Sequence, residues 1–196
     1  MQATTPPTDA SKSSWRKFFQ TRLTANPPSD SETQALRHLL YDAIHNHPPQ
    51  HIACFAAIRA EPDLFPLIEA LPHHHWHFPR VIDSFLTFHP IRQQNQLVTG
   101  SFGILEPSPD APITPVEQLD LILCPGLGFG RDHSRLGRGR GYYDRLLASK
   151  RPDARTIGLA YDPQIVDHVP TEAHDIPLDY LLTPSGWIGP ELTPTQ

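Results

Sequence analysis

Apolar positions along this chain recur with two different periods, and the alternation between the two predicts the fold. Between positions 12 and 23, Trp15, Phe18, Phe19 and Leu23 repeat at helical spacing and predict a short amphipathic helix. After "NPPSD", Leu36, Leu39, Leu40, Ala43 and Ile44 form the apolar face of a second helix, with Asp30 or Ser31 as its cap. "HIACFAAI" (51–58) is a nearly continuous apolar run between proline-rich flanks, as a strand buried on both faces would be. A helix over 64–71 separates it from strands at 77–82 and 83–91, the latter alternating like a half-exposed strand. Four prolines make 106–115 a loop. "LDLILCP" (119–125) is the clearest buried strand. It feeds a glycine-rich stretch, then a helix over 142–150 and strands at 155–162 and 178–183.

Strands alternating with helices predict an α/β fold, a single domain with a largely parallel central sheet flanked by helices. In such sheets the ligand site lies at the carboxyl ends of the strands. The domain should run over 12–188, between a flexible N-terminal segment (1–11) and a C-terminal tail (189–196).

Length and charge narrow the chemistry. A chain of 196 residues buries roughly 70% of its unfolded surface and needs no disulfide or metal staple. Cys54 and Cys124 both lie in apolar runs and read as reduced core residues. No stretch approaches the roughly 20 apolar residues of a membrane span, and the first residues lack a signal peptide's hydrophobic stretch, so a cytoplasmic monomer with no membrane partner is expected. A net charge of −5 weighs against nucleic acid as a partner, because general affinity for it rests on many Lys and Arg contacts.

Against that acidic background, "RLGRGRGYYDRLL" (135–147) concentrates four arginines around three alternating glycines. Gly137, Gly139 and Gly141 let backbone N–H groups approach a ligand, and the helix that follows turns its positive end toward it. Arginine adds forked donors that match phosphate oxygens. The spacing G-x-G-x-G fits neither G-x-x-x-x-G-K-[ST] nor G-x-G-x-x-G. A tight strand-to-helix turn with solvated arginines is the plain alternative, and an Arg/Gly RNA-binding segment a second, though such segments are usually long and repetitive. "LPHHHWHF" invites a metal reading for His73, His74, His75 and His77. Consecutive residues of an extended segment point to opposite faces, however, so a solvated histidine-rich loop is expected, with Trp76 free to stack on a planar ligand.

The stretch "DLILCPGLGFGRDHSRLGRGRGYYDRLL" resembles the signature of 5-formyltetrahydrofolate cyclo-ligases, also called methenyltetrahydrofolate synthetases. Fainter similarity runs over about 12–183, through Lys12 and Arg16, "CFAAIRAEPDLFPLIEAL", "GSFGILEP" and "IGLAYDPQIVDHVPTEAHDIPLDYLLT". The resemblance implies an enzyme that uses ATP and Mg²⁺ to convert 5-formyltetrahydrofolate to 5,10-methenyltetrahydrofolate, releasing ADP and phosphate. It implies an ATP site at Lys12, Arg16, Arg135, Leu136, Gly137, Arg138, Gly139, Arg140, Gly141, Tyr142 and Tyr143. It places the folate against Ala56, Glu61 and the stretch from Arg138 to Tyr142, with Arg138 and Tyr142 as catalytic residues and Asp144 and Asp175 holding the metal. Gly130, His133 and Leu64 depart from the family pattern, which usually has Asp, Gly and Thr there. A paralogue with the same ATP-binding fold and another substrate, or a binding role, is the alternative.

Overall fold

The computed structural model describes residues 5–8, 11–100 and 103–192. In chain order its elements are α1 (Lys12–Ala25), α2 (Asp30–Ile44), β1 (His51–Ala53), α3 (Phe65–Ala70), β2 (His75–Ile82), β3 (Phe85–Pro90), β4 (Leu97–Thr99) and β5 (Leu105–Pro107). There follow β6 (Leu121–Cys124), β7 (Gly128–Gly130), β8 (Arg135–Leu136), α4 (Tyr142–Ser149), β9 (Arg155–Leu159), β10 (Ile165–Val166), β11 (Tyr180–Thr183) and β12 (Gly186–Ile188).

Seven strands form the main sheet in the order β12-β11-β9-β6-β1-β2-β3. The five inner strands run parallel and the two outer pairs, β11 with β12 and β2 with β3, are antiparallel. Alternation along the strands divides the core, since successive side chains of a strand face opposite ways. Leu121 and Leu123 pack with Ile52, Phe78 and the apolar faces of α2 and α3 on one side. Ile122 and Cys124 pack with Ala53, Phe88, Leu146 and Leu147 of α4 on the other. The parallel α/β core is as the apolar pattern implied, and both cysteines are buried free thiols. Burial pushes the Cys124 thiol up to about 12, so it behaves as a small hydrophobe. Among the described residues no helix is long and apolar enough to cross a membrane.

Several expectations are corrected. The run 51–58 is a strand only over His51–Ala53, because its neighbour β6 ends at Cys124 and the residues that follow peel away into a cavity. The cap of α2 is Ser29, one residue before Asp30, closed with Glu32 into a reciprocal capping box. Glu106 and Pro107 belong to β5, paired antiparallel with β4, so they are not part of a loop. The histidine segment is not a solvated loop either: His74 and His77 are buried, and β2 begins at His75. Trp76 is 3% exposed, with its indole N–H donated to the Leu71 carbonyl, which removes it from any ligand.

The glycine-rich stretch carries structure that its composition concealed. β7, β8 and β10 make a small sheet of their own beside the main one. Phe18 and Phe19 of α1 pack onto it with Leu127, Leu136 and Val169. A Cβ at Gly128 would lie 2.0 Å from the Phe19 ring, so only glycine lets α1 come this close. At His133 the backbone takes φ +67°, a conformation that suits the glycine usual in the family. Its ring nitrogens lie 3.2 Å and 2.9 Å from the Leu178 and Ile188 carbonyls, contacts that offset the cost of that conformation. Leu64 at the start of α3 is buried, and the Asp63 carboxylate accepts the Phe65 N–H in the role a threonine could fill. The N-terminal segment expected to be flexible and the C-terminal tail lie partly outside the described residues, as does Phe102 of "GSFGILEP".

Candidate active site

The stretch from Pro125 to Gly141 leaves the carboxyl end of β6 and enters α4, and its glycines set the shape of what it encloses. Gly139 (φ +97°) and Gly141 (φ +68°) are in the left-handed region, where a side chain is strained. A Cβ at Gly139 would also come within 3.2 Å of the Arg16 guanidinium, and one at Gly141 within 2.8 Å of Arg145 Nη1. The backbone is therefore bare where it faces a cavity of about 390 Å³ at the carboxyl ends of β1, β2 and β6.

Every site residue expected from the sequence lines this one cavity. Lys12 and Arg16 reach it from α1, four residues apart on one helix face; Arg16 Nε also donates to the Gly137 carbonyl at 2.9 Å. The stretch from Arg135 to Tyr143 forms one wall, and Ala56, Glu61, Asp144 and Asp175 line the cavity with it. Sequence reasoning missed the apolar part of the lining, made by Phe55, Ile58, Val81, Leu86, Ile104 and Leu105. Val81 and Leu86 are cross-strand partners on the β2–β3 hairpin, a pairing the alternation of 83–91 could have suggested. It also missed Glu106, which lines the cavity and is clamped to Arg80 Nη1 at 2.7 Å.

Three of the five basic side chains that line the cavity arrive already paired with a carboxylate. Lys12 Nζ sits 2.6 Å from Asp175, Arg135 Nη2 2.6 Å from Asp144, and Arg138 Nη2 2.9 Å from Glu61. The alternative of solvated loop arginines does not hold for Arg138, since both its Nε and Nη2 donate to Glu61 Oε1. The Glu61 side chain is 6% exposed. Arg135 is buried, with its guanidinium also 5.4 Å from the Tyr143 ring centre, so its first role is to hold the loop.

Burial raises the Glu61 carboxyl above its ordinary range, and Arg138 with the Ile58 N–H recovers part of that. For Asp175 burial pulls upward too, but the Lys12 ammonium and the Glu172 N–H win, and the carboxyl lies below its usual value. The two tyrosines separate. Tyr142 is half-buried with Arg145 stacked 5.5 Å from its ring, and Arg145 Nε is donated to the Ser84 carbonyl at the β2–β3 tip. Tyr143 has its hydroxyl buried with no hydrogen-bond partner among the described residues, and burial pushes it well above the ordinary phenol range.

The arrangement suits a nucleotide and a hard divalent ion. The bare glycine backbone and the cations Lys12, Arg16, Arg138 and Arg140 offer a polyphosphate cradle. Asp144 and Asp175 supply two hard oxygen ligands, and Mg²⁺ typically takes one or two carboxylates and completes its shell with phosphate oxygens and water. Among the described residues no three His, Cys, Asp or Glu side chains form a metal cage of their own.

A sequence model of the 5-formyltetrahydrofolate cyclo-ligase family matches residues 8–184. The chain belongs to this family. It is 34% identical to the 5-formyltetrahydrofolate cyclo-ligase of Escherichia coli K12 over 148 residues, 68% of this chain and 78% of that one. With the cyclo-ligase of Mycolicibacterium smegmatis it shares 39% identity over 89 residues, 45% of this chain and 46% of that one. Among solved structures it is similar to the 5,10-methenyltetrahydrofolate synthetase of Aquifex aeolicus, with TM-score 0.75, 30% identity and 94% of each chain covered. The synthetase of Mycoplasma pneumoniae superposes with TM-score 0.69 and 25% identity, over 89% of this chain and 99% of that one.

Proposed function

We propose that this member of the cyclo-ligase family converts 5-formyltetrahydrofolate to 5,10-methenyltetrahydrofolate at the cost of one ATP. The observation that carries the reading is one cavity whose lining combines two kinds of surface. Bare backbone and cations suit phosphates. Apolar side chains with the Glu61 carboxylate among them suit a flat heterocycle bearing N–H groups.

The reaction asks for positioning and charge neutralisation more than for an enzyme nucleophile. The formyl oxygen attacks the terminal phosphorus of ATP and ADP leaves. The second folate nitrogen then attacks the activated carbon and gives up its proton, and the carbon–oxygen bond breaks as phosphate departs, carrying off that proton or leaving it to water. Arg138, on the cavity wall beside Glu61, stabilises the phosphoryl group with its fixed charge as it changes carriers. Arg140, Lys12 and Arg16 hold the remaining phosphate oxygens, and the glycine backbone donates to them. Ala56 and Glu61 seat the pterin, with Glu61 accepting its N–H groups, while Tyr142 closes the folate side of the wall. Asp144 and Asp175 would hold Mg²⁺, which when bound supplies charge neutralisation to the phosphates. The apolar walls from β2, β3 and β5 limit water at the activated carbon.

The test is to mix the protein with 5-formyltetrahydrofolate and MgATP and to follow methenyltetrahydrofolate absorbance. Product formation that stops when ATP is withheld is expected. A folded, ATP-binding protein that makes no product would overturn the reading in favour of another substrate.

A further inference from the structure

The contact between Arg138 and Glu61 joins two residues that the proposed function assigns to different substrates. Arg138 spends Nε and Nη2, a two-donor edge of its fork, on Oε1 of Glu61 at 3.3 Å and 2.9 Å. That edge is one that matches two oxygens of a phosphate. Glu61 in turn spends Oε1 on the arginine and Oε2 on the Ile58 N–H at 3.1 Å, leaving its paired oxygens poorly placed for a pair of pterin N–H groups. Each residue thus occupies the other's ligand-facing edge.

The exposure of the two partners is unequal, and this fixes the direction of the effect. The Arg138 side chain is 35% exposed and the Glu61 side chain 6%. An arginine that turns to a phosphate exchanges one anion for another. A glutamate that loses its arginine is left as a buried charge, which is costly until new donors reach it. A pterin edge supplies such donors.

Resting on the cyclo-ligase reading, we infer that the Arg138–Glu61 ion pair couples the two substrates. A nucleotide phosphate draws Arg138 away, and Glu61, stranded, then binds the folate more tightly than it does in the nucleotide-free protein. The coupling is reciprocal, so folate tightens nucleotide to the same degree.

Equilibrium binding tests this without turnover. The affinity for 5-formyltetrahydrofolate is measured on the full chain with and without a non-hydrolysable ATP analogue and Mg²⁺, and the converse titration is run. We expect the analogue to tighten folate roughly tenfold, within the usual span of coupling between sites, and folate to tighten the analogue by the same factor. In Glu61→Gln no charge is stranded, so the factor should collapse to near one. Arg138→Gln should collapse it as well, which guards against one variant failing to fold. A wild-type factor of one, or a factor unchanged in whichever variants fold, would overturn the coupling while leaving the cyclo-ligase reading in place. A wild-type protein that binds no folate under either condition would remove both.

Discussion

The two rims of the central sheet are built from the same strands and solve opposite problems. At the carboxyl rim carboxylates are held by cations: Glu61 by Arg138, Asp144 by Arg135 and Asp175 by Lys12. At the amino rim stand histidines. His51 Nδ1 lies 3.0 Å from His77 Nε2, and His77 Nδ1 lies 3.0 Å from the Thr114 hydroxyl, while the His51 ring stacks 4.7 Å from that of His75. Asp120 and Arg151 cap this rim, Asp120 accepting the His51 N–H at 2.6 Å. The carboxyl rim keeps charge under tension for a ligand to exploit. The amino rim gathers histidines instead, and none of them lines the cavity at the carboxyl rim.

The contrast can be broken most forcefully by Arg138→Ala. Loss of a donor that stabilises transition-state charge should lower turnover roughly 100- to 1,000-fold, read in the methenyltetrahydrofolate assay. The same change leaves Glu61 buried without its cation, so its raised carboxyl pKa rises further. The unfolded chain releases that proton near its ordinary value and the folded chain only at higher pH, so the variant's stability deficit should grow as pH rises. Urea melts at pH 5 and pH 8 check this; a deficit independent of pH would contradict it.

The amino rim has the opposite slope. His77 is 2% exposed, and burial, with His51 and His75 nearby, lowers its pKa to about 4. The unfolded chain binds the proton near pH 6.5 and the folded one only near 4, so stability is full above 6.5 and drains away between the two. The loss at His77 is on the order of 3 kcal/mol. His51, His74 and His47, lowered first of all by burial, add to it with the same sign. His77→Leu should flatten the melting profile between pH 4 and 6.5 without touching the KM for ATP.

Smaller effects sharpen the picture. Gly139→Ala places a side chain at φ +97° against Arg16; the cost of about 1–2 kcal/mol should surface as a roughly tenfold higher KM for ATP. Ser29→Ala opens the capping box of α2 and should cost about 1 kcal/mol in stability, with kinetic constants unchanged. His73→Ala, on the exposed side of the histidine run, should stay within about 0.5 kcal/mol.

The two rims also differ in how far the sequence disclosed them. The glycine and arginine stretch was readable because backbone conformation and charge are local properties, and both act over a few residues at Gly137 to Gly141. The resemblance then placed every expected site residue in what proves to be one cavity. The ion pairs were not readable, since Arg138 and Glu61 meet across 77 positions of chain. The histidines were misread for a related reason. His77 is covered by pairing with β1 and by Thr114, and His74 by Ile44 at the end of α2 and by Gln50, and nothing in "HHHWH" itself announces such cover. The small sheet of β7, β8 and β10 escaped because strands of two or three residues have no period to detect.

The wedge of Phe19 into the space beside Gly128 has a consequence for taking the protein apart. Phe18 and Phe19 are buried against the sheet that feeds the glycine-rich loop, while Lys12 and Arg16 line the cavity beside it. A chain begun at Ser29 would therefore lose more than two basic contacts: the loop would have no backing, and a greasy groove would open where α1 had been. A separate peptide carrying α1 should find that groove and restore activity in trans, which makes the break before Ser29 a natural point at which to split this enzyme into two pieces that work only when they meet.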